Sequence, residues 1–398
     1  MTDTTHTSAG INDLPAPDAE MRAIQDELTQ RIQQEIIQRN GFIPFSRYMD
    51  MALYTPGLGY YSGALRKFGV QGDFITAPET SELFSRCIAR QCQQILAALP
   101  HADILEVGAG SGMLAADCLA ELARCDQLPD QYLILEVSAS LRAQQRETIA
   151  EKVPDLLPLV HWIDRLPEGE FRGVILGNEL LDAMPVEMFT IHNGKAWQLG
   201  VGWQNDHFTW QQRESPAIDS AVKDIEASLG HELPEGYTSE IPQAACGWVQ
   251  TIAELLSTGA ILLIDYGHTR REFYHPQRQQ GTIMCHYRHR VHADPLILVG
   301  LQDITAHVDF TAIAEAGHQA SLHINGFTTQ AHFLLSLGIE SMLSDYAPDP
   351  TLQLRLAQQV KKLVMPGEMG ERFKVIAMTR GFDMPLKGFL LQDHRARL

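Results

Sequence analysis

The run Glu106-Val-Gly-Ala-Gly-Ser-Gly places Gly108, Gly110 and Gly112 in a Gly-x-Gly-x-Gly spacing, with Ala109 between the first two. Glycine has no Cβ, so backbone at such a turn can pass directly against a ligand. A helix opening immediately afterwards presents its unpaired N–H groups to whatever binds there. A loop that merely needs positive φ would look the same, so the turn takes its meaning from its surroundings. The dinucleotide fingerprint asks for a third glycine at the sixth position, and Met113 stands there. No Gly-Lys-Ser/Thr follows, which excludes a phosphate loop.

Acidic residues at the ends of the next apolar runs narrow the ligand. Glu136 closes the run from Tyr132, where a carboxylate can take both hydroxyls of a ribose, and Asp164 closes the run from Leu159, within reach of an adenine amino group. Either alone reads equally well as a helix cap or a solvated strand end; their joint placement favours a ligand. A molecule with ribose and adenine but no pyrophosphate fits, and S-adenosylmethionine is the leading candidate. Asn178, Glu179 and Asp182 follow the fourth apolar run and bring an amide and two carboxylates to the same rim, Asn178 being counted with the cofactor residues as well. Glu106, just ahead of the glycines, belongs to that group too. His307 and Asp309 form a further pair able to accept a proton, although a satisfied turn pair is as good a description.

The elements that must position these groups follow from apolar patterning. Ile104–Val107, Tyr132–Val137, Leu159–Asp164, Gly173–Glu179 and Gly259–Gly267 read as buried strands separated by helical lengths, which is a parallel sheet with crossover helices. Ala320–Ile324 and Phe373–Arg380 supply two more. The expected fold is therefore α/β, Rossmann-like, with a mostly parallel seven-stranded sheet and helices on both faces. Residues 1–19 read as a disordered tail and 20–100 as a helical and lid segment. The core takes 101–185 and 259–380, and two insertions, 186–258 and 268–309, form a substrate-side subdomain.

Met21, Ile24, Leu28, Ile32 and Ile36 predict an amphipathic helix ending at Gly41. The aromatic, turn-rich stretch from Phe42 to Thr80 reads as an irregular lid over the glycine turn, carrying Asp73, Thr76 and Glu79. In the first insertion Trp197, Trp203, Phe208 and Trp210 alternate with polar residues, as in antiparallel strands. Helices are expected over Asp219–Leu229 and Gln243–Leu256.

Composition excludes several classes. The 398 residues exceed one small core, and 45% hydrophobic with 20% charged residues is ordinary for a globular enzyme. A formal net charge of −18 argues against nucleic acid and against anionic membranes. Six cysteines show no CxxC pair, which suggests free thiols in a reducing compartment. The polar N-terminus lacks a signal pattern and no run reaches membrane-spanning length, so a cytoplasmic location is expected. The run His286, Arg288, His289, Arg290 and His292 is a poor metal site because its arginines repel a cation. It reads as a substrate-facing or interface surface, compatible with a homodimer.

Several motifs in order carry a family resemblance: Tyr54-Thr-Pro-Gly-Leu-Gly-Tyr-Tyr, Gly72-Asp-Phe-Ile-Thr-Ala-Pro-Glu, Glu106-Val-Gly-Ala-Gly-Ser-Gly, Glu136-Val-Ser, Gly177-Asn-Glu-Leu-Leu-Asp-Ala-Met-Pro-Val and Ile264-Asp-Tyr-Gly. With them the chain resembles the MidA-like family of class I methyltransferases, which includes a mitochondrial complex I assembly arginine methyltransferase. Its insertions look like those of the bacterial branch. The resemblance implies S-adenosylmethionine as donor and, from the mitochondrial member, an arginine of a partner protein as acceptor.

For that acceptor, Glu179 and Asp182 would grip the guanidinium and Asn178 would position backbone or substrate. The alternative is that Asp182 caps a helix and Glu179 pairs structurally. Methylation of a small molecule, or a donor-binding assembly factor with dispensable catalysis, are the competing functions. An NAD oxidoreductase is a distant fourth because of Met113.

Overall fold

The computed structural model describes residues 14–63, 76–346 and 349–398. They fall into two compact units, cut from the chain as Ile75–Leu181, Cys246–Thr269 and Phe310–Leu398, and as Met1–Phe74, Asp182–Ala245 and Arg270–Asp309.

The first of these is built on a sheet. Its strands are β1 (Asp103–Val107), β2 (Tyr132–Leu135), β3 (Val160–Ile163), β4 (Phe171–Asn178), β5 (Leu256–His268), β6 (His323–Thr329) and β7 (Phe373–Arg380). They lie side by side in the order β3-β2-β1-β4-β5-β7-β6. Strands β1 to β5 run parallel, whereas β7 is antiparallel to both β5 and β6. The dinucleotide-binding order 3-2-1-4-5-6 lacks that inserted antiparallel strand, so topology and Met113 point the same way.

Ile104 and Leu105, Val174 to Leu176, and Ile261 to Ile264 are buried, as strands covered on both faces must be. Three helices cover much of the sheet: α1 (Glu82–Ala98), α2 (Met113–Arg124) and α3 (Ala139–Lys152). One apolar cluster joins Ile88 of α1, Leu119 of α2, Ile149 of α3, Val174, Leu262 and Val375. Each such side chain contributes about 1.5–3 kcal/mol on burial, so the apolar runs themselves hold the sheet together.

The sixth strand differs from expectation. It begins at His323 rather than near Ala320, because helix Phe310–Gln319 runs on and Ser321, at φ 63°, turns the chain before pairing starts.

The second unit is largely antiparallel. Lys195–Gln204 pairs with Glu187–His192, with His207–Glu214 and with the short Ile43–Pro44, and Thr238–Ile241 extends the sheet beyond Glu187–His192. Asn205 and Asp206, both at positive φ, make the tight hairpin turn that the alternating tryptophans require. A smaller sheet joins Met284–Tyr287, Arg290–His292 and Asp303–Thr305. The His/Arg run is thus a hairpin with Arg288 and His289 at its tip, both left-handed.

Helix Ala19–Gln38 buries Leu28, Ile32 and Ile36 in the core of this unit. The stretch after Phe42 is not irregular throughout. Phe45–Tyr54 is a helix whose Phe45, Tyr48, Met49, Ala52 and Leu53 are buried at helical spacing. The turn-forming Pro-Gly pair beyond it masks that period in the sequence. Asp73 lies outside the described residues.

Candidate active site

Ligands of open parallel sheets bind beyond the carboxyl ends of the strands, and there the turn after β1 lies. Gly108, Gly110 and Gly112 all adopt left-handed backbone, at φ 70°, 53° and 85°. Gly112 is also the N-cap of α2, and it supplies no capping side chain. The first N–H groups of that helix are therefore the kind of donors that a ligand carboxylate satisfies. A Cβ on Gly112 would stand 2.9 Å from the Cα of Gln145 in α3.

Glu136, just past β2, is buried and held at both oxygens. Oε1 accepts the backbone N–H of Ser138 at 2.8 Å, and Oε2 accepts Nε2 of Gln145 at 3.1 Å. Its own N–H donates to the carbonyl of Ile163, which brings the ends of β2 and β3 together. The next residue, Val137, is 71% exposed, unusual for a valine at a strand end. Asp164 follows β3 and is exposed. Ala109 is buried beside the turn.

Glu106 sits one residue before the end of β1 and is 2% exposed. Its carboxylate accepts the hydroxyl of Tyr132 at 2.6 Å. Burial pushes this carboxyl up to about 7, the tyrosine hydroxyl working against the shift. The structure therefore places Glu106 within the floor beneath the turn.

At the end of β4 the chain turns through Asn178 and Glu179. Glu179 holds φ 49°, a left-handed conformation that a non-glycine residue keeps only when its surroundings impose it. Its N–H donates to the carbonyl of Ile264 at 2.9 Å, and Oε1 receives Nδ2 of Asn178 at 3.2 Å and the N–H of Ala77 at 3.4 Å. Asn178 Oδ1 is buried without a hydrogen-bond partner among the described residues.

Asp265, next in β5 after Ile264, accepts the N–H groups of Leu180 and Leu181 at 3.1 and 2.8 Å through one oxygen. Its other oxygen takes the N–H of Tyr266. Asp265 thus fastens the Glu179 turn. The sequence offers only the motif Ile264-Asp-Tyr-Gly, and the role depends on the β4–β5 register that sets Ile264 beside Asn178.

The other candidates are distributed as follows. Glu79 closes a capping box, its Oε2 receiving the N–H of Thr76, at the start of the short helix Ala77–Thr80 whose first N–H meets Glu179. The described end of the predicted lid is thus anchored at the β4 turn. In the second unit, Asp182 is buried and its carbonyl accepts the N–H of Ala306. His307 is partly buried, with its N–H on Thr282 Oγ1, and the buried Asp309 pairs with Arg270 at 3.4 Å.

Residues 87–328 match a family described as "Putative S-adenosyl-L-methionine-dependent methyltransferase". The chain belongs to this family. A crystal structure of a Burkholderia thailandensis protein bound to S-adenosyl-homocysteine superimposes with TM-score 0.92 at 43% identity, covering 97% of this chain and 100% of that one. Among curated relatives, the mitochondrial protein arginine methyltransferase NDUFAF7 homolog of Caenorhabditis elegans is 29% identical, over 86% of this chain and 84% of its own. Human mitochondrial NDUFAF7, also named a protein arginine methyltransferase, is 27% identical over 86% and 81%.

S-adenosylmethionine is the methyl donor of this methyltransferase family. The residues present fit it: three left-handed glycines leave bare backbone, an uncapped helix start suits a carboxylate, and an anchored glutamate suits a ribose.

Proposed function

We propose that this methyltransferase modifies an arginine guanidinium of a partner protein, and that Glu179 holds that guanidinium. The observation that carries the proposal is the backbone of Glu179, kept left-handed at the carboxyl edge of β4 by Ile264 and by the Asp265 clasp that follows. Strain of this kind, of order 1–3 kcal/mol, gathers at functional sites. The relatives named as arginine methyltransferases support the choice of acceptor.

The donor supplies an electrophilic methyl group on a sulfonium. The requirement on the protein is to make a guanidinium nucleophilic, since its charge is delocalised and its pKa lies above about 12. A carboxylate holding two of its nitrogens draws positive charge toward them and leaves the third richer in electron density. That nitrogen forms the C–N bond as the C–S bond breaks, leaving a neutral thioether, and afterwards releases one proton to solvent. Gly108 to Gly112 would hold the methionine portion, Glu136 the ribose, and Val137 with Asp164 the two faces of adenine recognition, apolar and hydrogen-bonding. Asp182, three residues after Glu179, is the second carboxylate indicated by the motif and is tested separately.

Transfer of labelled methyl to protein in a cell extract should fall by about a hundredfold or more in Glu179→Gln, since a charge-assisted bidentate grip is replaced by a neutral one. Binding of S-adenosylhomocysteine should stay within a few-fold of wild type. Asp182→Asn is measured in the same assay. Unchanged transfer in Glu179→Gln would remove the guanidinium grip. Label appearing only in small molecules would replace the protein acceptor with a metabolite.

A further inference from the structure

Gln145 lies in the middle of α3, on a helix otherwise rich in exposed polar side chains, and it is fully buried. Three elements meet at its amide. Nε2 donates to the carbonyl of Gly110 at 3.0 Å and to Oε2 of Glu136 at 3.1 Å, while Oε1 accepts Nε1–H of Trp162, in β3, at 2.9 Å. The orientation of the amide follows from its partners: two acceptors require the NH2 side, and an indole N–H can only donate. No other side chain of this length offers two donors and an acceptor at once. The Arg146 guanidinium lies 4.4 Å from the centre of the Trp162 ring and covers the far end of the chain of contacts.

We infer that Gln145 is a positioning residue for the methyl donor, tying the glycine turn to the Glu136 carboxylate so that both keep one fixed separation. This rests on the assignment of Glu136 to the ribose. The physical reasoning concerns freedom of rotation. A carboxylate tethered at one oxygen can swing, and it loses orientation for a pair of vicinal hydroxyls. With Ser138 N–H on Oε1 and Gln145 on Oε2, the Glu136 carboxylate cannot swing. A carboxylate oxygen can accept more than one donor, so these tethers are compatible with hydroxyls as further donors. The second N–H of Gln145 meanwhile fixes the peptide carbonyl of Gly110, the central glycine of the turn. Trp162 completes the arrangement from the strand whose end lies beside Glu136.

The test compares binding of S-adenosylhomocysteine with that of its 2′-deoxyribose counterpart, by calorimetry, in the full chain. Wild type should prefer the hydroxylated ligand by about tenfold to a hundredfold, the range for a hydrogen bond to a charged group. In Gln145→Met, which keeps volume but loses the amide, that preference should shrink to about threefold or less. A role confined to packing would weaken both ligands equally and leave the ratio unchanged, and that result overturns the inference. A wild-type protein indifferent to the 2′-hydroxyl would instead overturn the Glu136 assignment, and the inference with it. If Gln145→Met does not fold, Trp162→Phe decides. It keeps Gln145 and removes the indole donor with part of the ring; lost packing weakens both ligands alike, so a ratio equal to that of wild type would again overturn the inference.

Discussion

Gly110→Val binds S-adenosylhomocysteine about a hundredfold more weakly than wild type, or not measurably, and melts within a few degrees of it. The expectation follows from backbone geometry. Gly110 holds φ 53° between two other left-handed glycines. Left-handed backbone costs an ordinary L-residue roughly 1–2 kcal/mol, and a β-branched side chain is worse placed than most. The turn relieves the strain by rotating its peptides, which moves the Gly110 carbonyl off Gln145 and redirects the bare backbone proposed to face the donor. The fold survives because Gly110 is only partly buried, while β1 and α2 on either side are anchored by Ile104, Leu114 and Leu119 in the core.

Gly112→Val provides the contrast. Its Cβ would meet the backbone of Gln145, so α3 itself must shift, and the melting temperature should drop along with binding. Titration calorimetry and thermal melts on both variants check this pair. A Gly110→Val protein that binds normally would show that the turn is not part of the donor site.

Glu106→Gln is more stable than wild type at pH 8 and about equal to it at pH 4. The buried carboxyl is pushed up from 4.5 to about 7 by desolvation, partly offset by the Tyr132 hydroxyl. Between those two values the folded chain binds more protons than the unfolded chain, so stability falls as pH rises through that window. Below about pH 4.5 both states are protonated at this site, and above about 7 both are ionised, so the loss then stays constant. At 1.36 kcal/mol per pKa unit the full difference is about 3 kcal/mol.

Glutamine is neutral throughout and still offers Tyr132 an acceptor oxygen, so it avoids the loss without unmaking the hydrogen bond. Subtracting wild-type from Glu106→Gln melting temperatures across pH removes the contribution of the other carboxylates. The gap should open from about pH 4.5 to 7 and level off at several degrees. A gap that does not change with pH would mean that Glu106 is not the buried acid described above.

Much of the sheet is legible in the amino-acid sequence because buried parallel strands are local events. Ile104 to Val107 or Ile261 to Ile264 must be continuous apolar runs, since both faces are covered. The glycines and the acidic residues at their ends mark where the chain leaves the core. The edge strand β6 starts later than its residue pattern suggests, because an edge needs less apolar content and its start depends on how far helix Phe310–Gln319 continues. Helix Phe45–Tyr54 escapes sequence reading for a different reason: its period is present, but the aromatics and the prolines around it match a loop equally well.

The composition and spacing of this chain point to a glycine turn for an adenosine-type ligand without pyrophosphate, because Met113 and the acidic strand ends are one-dimensional facts. They cannot separate Gln144 from Gln145. The two are chemically identical neighbours on a polar helix, yet one is exposed and the other is fully buried against Gly110, Glu136 and Trp162. They cannot assign Asp265 to the Glu179 turn either, since residues so far apart in the chain meet only through strand register. Periodicity records which way a side chain points along its own element; what it touches there is decided when the elements pack.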